Sequence, residues 1–482
     1  MHRTSGRRRR PARIRSCVLC FLLTAVFGLA LLHVAALRAT HQPRAPAATL
    51  AEQAPYQLAA GETEVHLIFS TDCSPYQHWQ SINVWYSARA VGQRGPVTRI
   101  ASGCTAEEAR KVSAEWLEID PSGTFRAHFA PAGALRGGTY KYSNKPSGLY
   151  HWLTTARPPP FVDSSRGVVV LIDPDQLLLR PITAALGAGL RPSSRKGELV
   201  DADGVPRVLG HNLDGLAARV APDVAVGQEY GLGGAWGDAG KPTAGKSWRG
   251  FDRARVCGDG PCARTTAREA GQHYAVGPPY VIHARDAVPL ARAWLQAVPD
   301  VHTQYPYLLA EMYAYSMAAA NLTLPHAQVH HLMISNVQAG GEGWDWIDDV
   351  PREQICGGAG DGLPPLATRF DASRPFSNND HPAGPATPAV VHFCQRYAAG
   401  GQKFGKHSVP HNAFSCEGGV FAFDAGKAQA AALSAGGREA VRNAYVLCNV
   451  LPRLQAAQLA YKQDVCPKRG LATWNEARTM KS

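Results

Sequence analysis

Val168-Val169-Val170-Leu171-Ile172, followed at once by Asp173-Pro174-Asp175, is the stretch that decides the fold. Five apolar residues in a row, three of them β-branched valines, do not alternate with polar ones. Such a run is a strand buried on both faces, as in a parallel sheet covered by helices. Two carboxylates one residue apart then close the strand, where an open α/β sheet binds its ligands. Hard oxygen ligands suit Mn²⁺ or Mg²⁺, ions that keep positions free for the phosphates of a nucleotide. The plainer reading is an Asp-Pro-Asp turn that only ends the strand.

Toward the N-terminus, Val65–Ser70 reads as a first strand. Ser74-Pro75 then offers an N-cap and an N1 proline to a helix carrying Tyr76, Trp79, Ile82, Tyr86 and Ala90 at helical spacing. Val97–Ala101 reads as a second strand, and Asn144-Lys145-Pro146 opens a helix through Leu149, Trp152 and Leu153. Strand and helix alternating toward 172 predict a βαβ-type α/β domain. Toward the C-terminus, residues 185–280 are Gly-, Ala- and Pro-rich and predict no placed element. Helices are expected from Asp286, as cap, to Gln296 and over Tyr307–Ala320, with late strands at Val329–Ile334 and Ala389–Phe393. Residues 356–388 read as a loop, and 427–463 as a helical region.

Several side chains could carry chemistry beside the two aspartates. His392 lies in an apolar strand, a position usual for a core histidine but able to supply the nitrogen ligand that Asp173 and Asp175 lack. Glu311 stands in a helix apolar all round except for itself and Ser316, so it must be paired, protonated or placed in a wet cleft. A buried arginine such as Arg99 is one expected partner, and a role at the reacting centre is the other reading. Lys145, Arg180, Lys403 and Lys406 are candidate cations for a diphosphate leaving group. Trp344 and Trp346 read equally as an acceptor platform or as core, and His330-His331 as structural.

The 482 residues carry 50 Lys+Arg against 38 Asp+Glu, a formal net charge of +12. Nine arginines and no acid fall within residues 1–50, leaving 41 basic against 38 acidic groups, +3, for the rest. The body is therefore nearly neutral and does not read as a nucleic-acid binder. Behind the arginines, Cys17–Leu37 is 21 residues of mainly apolar chain, enough helix for about 30 Å of bilayer. The positive-inside rule then predicts a cytoplasmic tail (1–16), a signal-anchor (17–37), a stem (38–62) and a lumenal domain (63–482). A cleaved signal peptide is the competing reading. Cys17 and Cys20 fall in the anchor. The other nine cysteines (73, 104, 257, 262, 356, 394, 416, 448, 466) read as four disulfides and one free thiol in an oxidising lumen, with connectivity open. Asn321-Leu322-Thr323 is an N-glycosylation sequon.

Six segments in order resemble a known family. They are Val65–Cys73 with Tyr76 and Trp79-Gln80, then Gly95-Pro96-Val97-Thr98-Arg99-Ile100, then Asn144-Lys145-Pro146 with His151-Trp152-Leu153. Asp173-Pro174-Asp175 with Arg180-Pro181, Glu311-Met312-Tyr313-Ala314-Tyr315, and His392-Phe393-Cys394-Gln395-Arg396-Tyr397 complete the set. Together, over about 64–180 and 280–420, they resemble the plant and algal hydroxyproline O-arabinosyltransferases. The first four segments are similar to the related peptidyl serine α-galactosyltransferases as well. The resemblance implies a GT-A-like fold with a mixed, mainly parallel central sheet, and a retaining transfer of L-arabinofuranose from UDP-arabinofuranose to hydroxyproline in extensin-like secreted proteins. It implies Asp173, Asp175 and His392 as ligands of a divalent cation, Mn²⁺ or Mg²⁺. Thr71, Asp72, Asn144, Lys145, Asp173 and Lys406 would lie by the UDP-sugar, and Glu311 near the acceptor as the catalytic carboxylate. A Golgi membrane address is expected, with the endoplasmic reticulum as the alternative. The stretch 185–280 departs from both families and is expected to help set donor or acceptor choice. Serine galactosylation from UDP-galactose is the alternative activity, and an inactive lumenal scaffold of the same fold is the other.

Overall fold

A computed structural model describes residues 58–133, 140–161, 163–211, 219–243, 245–356, 376–382, 384–421, 423–434 and 437–469, and the backbone at 479–480. The expected tail and anchor, and most of the stem, lie outside these residues. No helix among the described residues is long and apolar enough to cross a membrane. The described residues fall within one compact unit, Pro55–Ser482.

Strand β1 (Glu64–Thr71) is followed by helix α1 (Pro75–Ala90), β2 (Val97–Ser102), α2 (Ala106–Ile119), β3 (Phe125–Ala130), α3 (Asn144–Thr155) and β4 (Gly167–Ile172). Ser74 caps α1 with Pro75 at its first turn. Helix α2 and strand β3 escaped the sequence reading, although Thr105 and Glu108 form a capping box, a signal written in the sequence as T-x-x-E. These strands pair in parallel in the order β3-β2-β1-β4. In open α/β sheets ligands bind where the strand order reverses, which here is between the carboxyl ends of β1 and β4.

The run 168–172 is buried as expected, and its side chains divide by parity. Val168, Val170 and Ile172 enter one apolar core, while Val169 and Leu171 enter the other, on the opposite face of the sheet. All five are fully buried, each worth on the order of 2 kcal/mol. Beyond β4 the sheet is not parallel. The short β5 (Gln176–Leu178) leaves for a second sheet, and β6 (Arg191–Pro192), β7 (Glu198–Val200), β8 (Pro206–His211), β9 (Ala225–Glu229) and β10 (Val276–His283) extend the first. With β11 (His326–Val329), the order on from β4 is β10-β9-β11-β8-β7-β6. Only β9 and β11 pair in parallel there, and every other pair is antiparallel. The expected mainly parallel sheet is thus corrected to a mixed one with a parallel half and an antiparallel half.

The stretch 185–280 supplies four of these strands, β6 to β9, together with the start of β10. Its glycines hid them, and at least one is there for contact rather than for a turn. A Cβ on Gly210 in β8 would fall 2.4 Å from the carbonyl oxygen of Gln328 in β11. Helix α4 (Ala284–Gln304) begins before Asp286, capped by His283, and continues past Gln296 through Pro299, with Asp286 accepting from the Asp223 backbone N–H at 2.9 Å. Helix α5 (Ala310–Asn321) packs against it. The expected strand 329–334 divides: Val329 ends β11, and β12 (Met333–Ile334) joins β5 and β13 (Val390–His392) in the second sheet. Two helices, Ala425–Ser434 and α6 (Arg438–Val465), make up the C-terminal helical region.

Eight cysteines pair as 73–104, 257–262, 356–448 and 416–466, and Cys394 remains free. Trp344 and Trp346 are core residues. The indole of Trp344 donates to Asn336 O and that of Trp346 to Glu198 Oε1, both at 2.9 Å.

Candidate functional site

Asp173, Asp175 and His392 converge at the carboxyl end of β4, with one ligand atom from each within 4.8 Å of the others. A turn does the positioning. Gln176 donates its N–H to Asp173 O at 3.1 Å, and its buried side chain accepts from Asp173 N and donates to Pro278 O. The turn expected at Asp-Pro-Asp is therefore present, and it sets both carboxylates beside His392. His392 arrives by register, since β13 runs antiparallel to β5 with His392 opposite Gln176.

The two aspartates meet different partners. Asp175, 5 % exposed, lies 3.1 Å from His392 Nε2 and is hydrogen-bonded by Lys406. Burial alone would raise its pKa, but His392 and Lys406 outweigh burial and hold its carboxyl well below the usual range. Burial disfavours charge on His392, yet Asp175 holds the imidazole well above its ordinary value. Asp173 takes Lys145 Nζ at 2.8 Å, and Lys145 lies 3.5 Å from Glu311 Oε1. Lys145 comes from the first turn of α3 and Glu311 from the first turn of α5, both packed on the same face of the sheet. Burial lowers the Lys145 pKa less than Asp173 and Glu311 raise it. Glu311 is 3 % exposed, and burial pushes it from 4.5 to about 7 against the pull of Lys145.

Glu311 is thus paired with Lys145 and not with Arg99. Arg99 is fully buried and donates to Thr71 Oγ1 at 2.8 Å and to the Asp72 carbonyl at 2.6 Å. It braces the carboxyl end of β1, where Thr71 is buried and Asp72 Oδ1 accepts from Ser74 N at 2.8 Å. Asn144 Oδ1 accepts from Gly133 N at 2.8 Å and so ties the start of α3 to the chain after β3. Among the other cations, Arg180 donates to Thr387 O at 2.6 Å, and Lys403 is exposed on a hairpin. Asn321, at the end of α5, is partly buried and accepts from Cys262 N at 3.4 Å.

A second cluster was invisible in the sequence. His211 at the end of β8, Glu229 at the end of β9 and His330 just past β11 come together, whereas His331 is buried and bonded to the Leu209 backbone. No local pattern marks the cluster, because its members are 18 and 101 residues apart.

Two carboxylates and an imidazole are a donor set that fits Mn²⁺ or Mg²⁺. His392 Nε2 and Lys406 each meet one oxygen of Asp175, so an ion bound there would share that carboxylate with them.

Comparison with known proteins finds relatives in sequence. The chain is 26 % identical over 287 residues to a peptidyl serine α-galactosyltransferase of Arabidopsis thaliana, an alignment covering 56 % of this chain and 27 % of that protein. It is 32 % identical over 122 residues to the protein of the same name from Chlamydomonas reinhardtii, covering 25 % of this chain and 15 % of the relative. The chain thus spans about a quarter of the length of the first relative and less of the second. No family model matches. Among solved structures, the apo form of WbbM, a bifunctional glycosyltransferase, covers 70 % of this chain and 47 % of its own, with a TM-score of 0.29 and 10 % identity. A likeness that loose carries no argument. The chain is related in sequence to glycosyltransferases.

Proposed function

We propose that this chain is a retaining glycosyltransferase of GT-A type that transfers galactose from UDP-galactose to serine hydroxyls of Pro-rich secreted peptides. The observation that carries the reading is the meeting of Asp173, Asp175 and His392 at the end of β4, in a chain similar to two peptidyl serine α-galactosyltransferases. Those three residues would hold the divalent cation, which when bound neutralises the diphosphate of the donor. Lys145 and Lys406 place positive charge beside the same crevice, where negative charge develops on the leaving group. The serine oxygen attacks the anomeric carbon from the leaving-group face as the bond to the phosphate oxygen breaks, and the departing phosphate oxygen takes the serine proton. Glu311, buried beside Lys145 with its pKa raised to about 7, is the carboxylate that orients the hydroxyl.

A second reading is transfer of arabinofuranose to hydroxyproline, favoured by the Glu311–Tyr315 and His392–Tyr397 segments. Membrane anchoring through residues 17–37 and a Golgi address belong to either reading. The test is transfer by the full chain from UDP-galactose and UDP-arabinofuranose to serine and hydroxyproline peptides, with and without EDTA. Galactose on serine, lost in EDTA and in Asp175→Ala, is the expected result. Arabinose on hydroxyproline selects the second reading. Full activity in Asp175→Ala refutes the metal assignment, and UDP binding without turnover on any acceptor refutes the enzyme.

A further inference from the structure

We infer that His211, Glu229 and His330 form a second metal site, one that takes a zinc-class ion. The register of the sheet builds it. Strand β11 lies between β8 and β9, with Gln328 opposite His211 and Val329 opposite Gln228. Side chains alternate along a strand, so His330, two residues past Gln328, shares a face with His211 and with Glu229. The atoms converge accordingly. His330 Nε2 is 2.5 Å from Glu229 Oε2, His211 Nδ1 bonds the same oxygen, and the two ring nitrogens are 3.2 Å apart.

Two imidazoles and one carboxylate on a common point are the donor set of zinc sites that keep one position open. Ligands about 2.0–2.1 Å from a tetrahedral ion sit roughly 3.3 Å from one another, so a small outward movement of each side chain admits the ion. The His211 side chain is 55 % exposed and that of His330 12 %, so the ion would rest on a rigid floor and be reached from solvent. Its donors differ from those at Asp173 and Asp175, where oxygen predominates and Mn²⁺ or Mg²⁺ is preferred. The sites are also separate. Strands β4, β9 and β11 run in the same direction, so both clusters lie along one carboxyl edge, two to three strands or roughly 10–15 Å apart.

The test is zinc stoichiometry after equilibrium dialysis of the full-length protein against buffered micromolar zinc chloride, in an Asp175→Ala background that disables the first site. One zinc ion per chain is expected, lost on adding either His211→Ala or His330→Ala. Zinc should also raise the melting temperature of Asp175→Ala and leave that of the His211→Ala double variant where it was. Because His211 is half-exposed, its replacement leaves the sheet intact, and an unchanged circular dichroism spectrum checks this. Failure of the Asp175→Ala protein to retain zinc overturns the site, as does retention that survives His211→Ala and His330→Ala together. In either case the cluster is only a hydrogen-bonded His-Glu-His triad, and the transferase reading is untouched.

Discussion

Replacing Lys145 by methionine tests the electrostatics of the site most directly. The ammonium lies 2.8 Å from Asp173 and 3.5 Å from Glu311, and its side chain is only 11 % exposed. At an effective dielectric of about 20, these separations correspond to roughly 6 and 5 kcal/mol of attraction. Burying the lysine itself cost several kcal/mol, which the methionine avoids, so the net penalty falls to about 3–5 kcal/mol. Glu311 also limits the loss, because without Lys145 it binds a proton and ceases to be a buried anion. The penalty therefore depends on pH. Near pH 8, where Glu311 is ionised in the parent protein, both pairs are lost. Near pH 5.5 Glu311 is already protonated, only the Asp173 pair is lost, and the penalty shrinks by about 1–2 kcal/mol. The assay is urea unfolding of wild type and Lys145→Met in EDTA at the two pH values. A cost below about 1 kcal/mol at pH 8, the value of a surface pair, refutes the reasoning, and so does a cost independent of pH.

Glu311→Gln should flatten the pH dependence of stability. The folded-state pKa of Glu311 is raised from 4.5 to about 7, so its contribution is complete below pH 4.5 and lost as the pH rises through 7. That loss is about 3 kcal/mol in the parent protein, and melting curves across this window should show it absent from the variant. Gly95→Ala should prevent accumulation of folded protein. Gly95 has φ of +98°, and a Cβ there would stand 1.9 Å from the carbonyl oxygen of Val65 in β1, a clash with backbone that no rotamer relieves. Soluble, disulfide-bonded Gly95→Ala protein with a native melting temperature would contradict this close approach.

The architecture around β4 was legible because burial on both faces leaves a local mark. Val168–Ile172 has no polar residue to spare, and its alternating side chains fill two cores. Ser74-Pro75 likewise declares the start of α1, since a cap works through neighbours in sequence. The antiparallel half of the sheet was not legible. Strands such as Ala225–Glu229 carry small residues where other strands press close, and what Gly210 avoids is a carbonyl 118 residues away.

The candidate site divides along the same line. The sequence alone determined Asp173 and Asp175 as a pair at a strand end, and Glu311 as a carboxylate stranded in an apolar helix. Their partners were decided only by tertiary structure. Lys145 rather than Arg99 meets Glu311, because α3 and α5 bring their first turns together on one face of the sheet, while Arg99 is used in bracing Thr71 and Asp72. His330, which reads as structural beside His331, meets Glu229 and His211 only through the pairing of β8, β11 and β9. A strand's alternation can be read along the chain. Which strand lies beside it depends on packing the whole sheet between its two cores, and the composition of a segment carries no record of that choice.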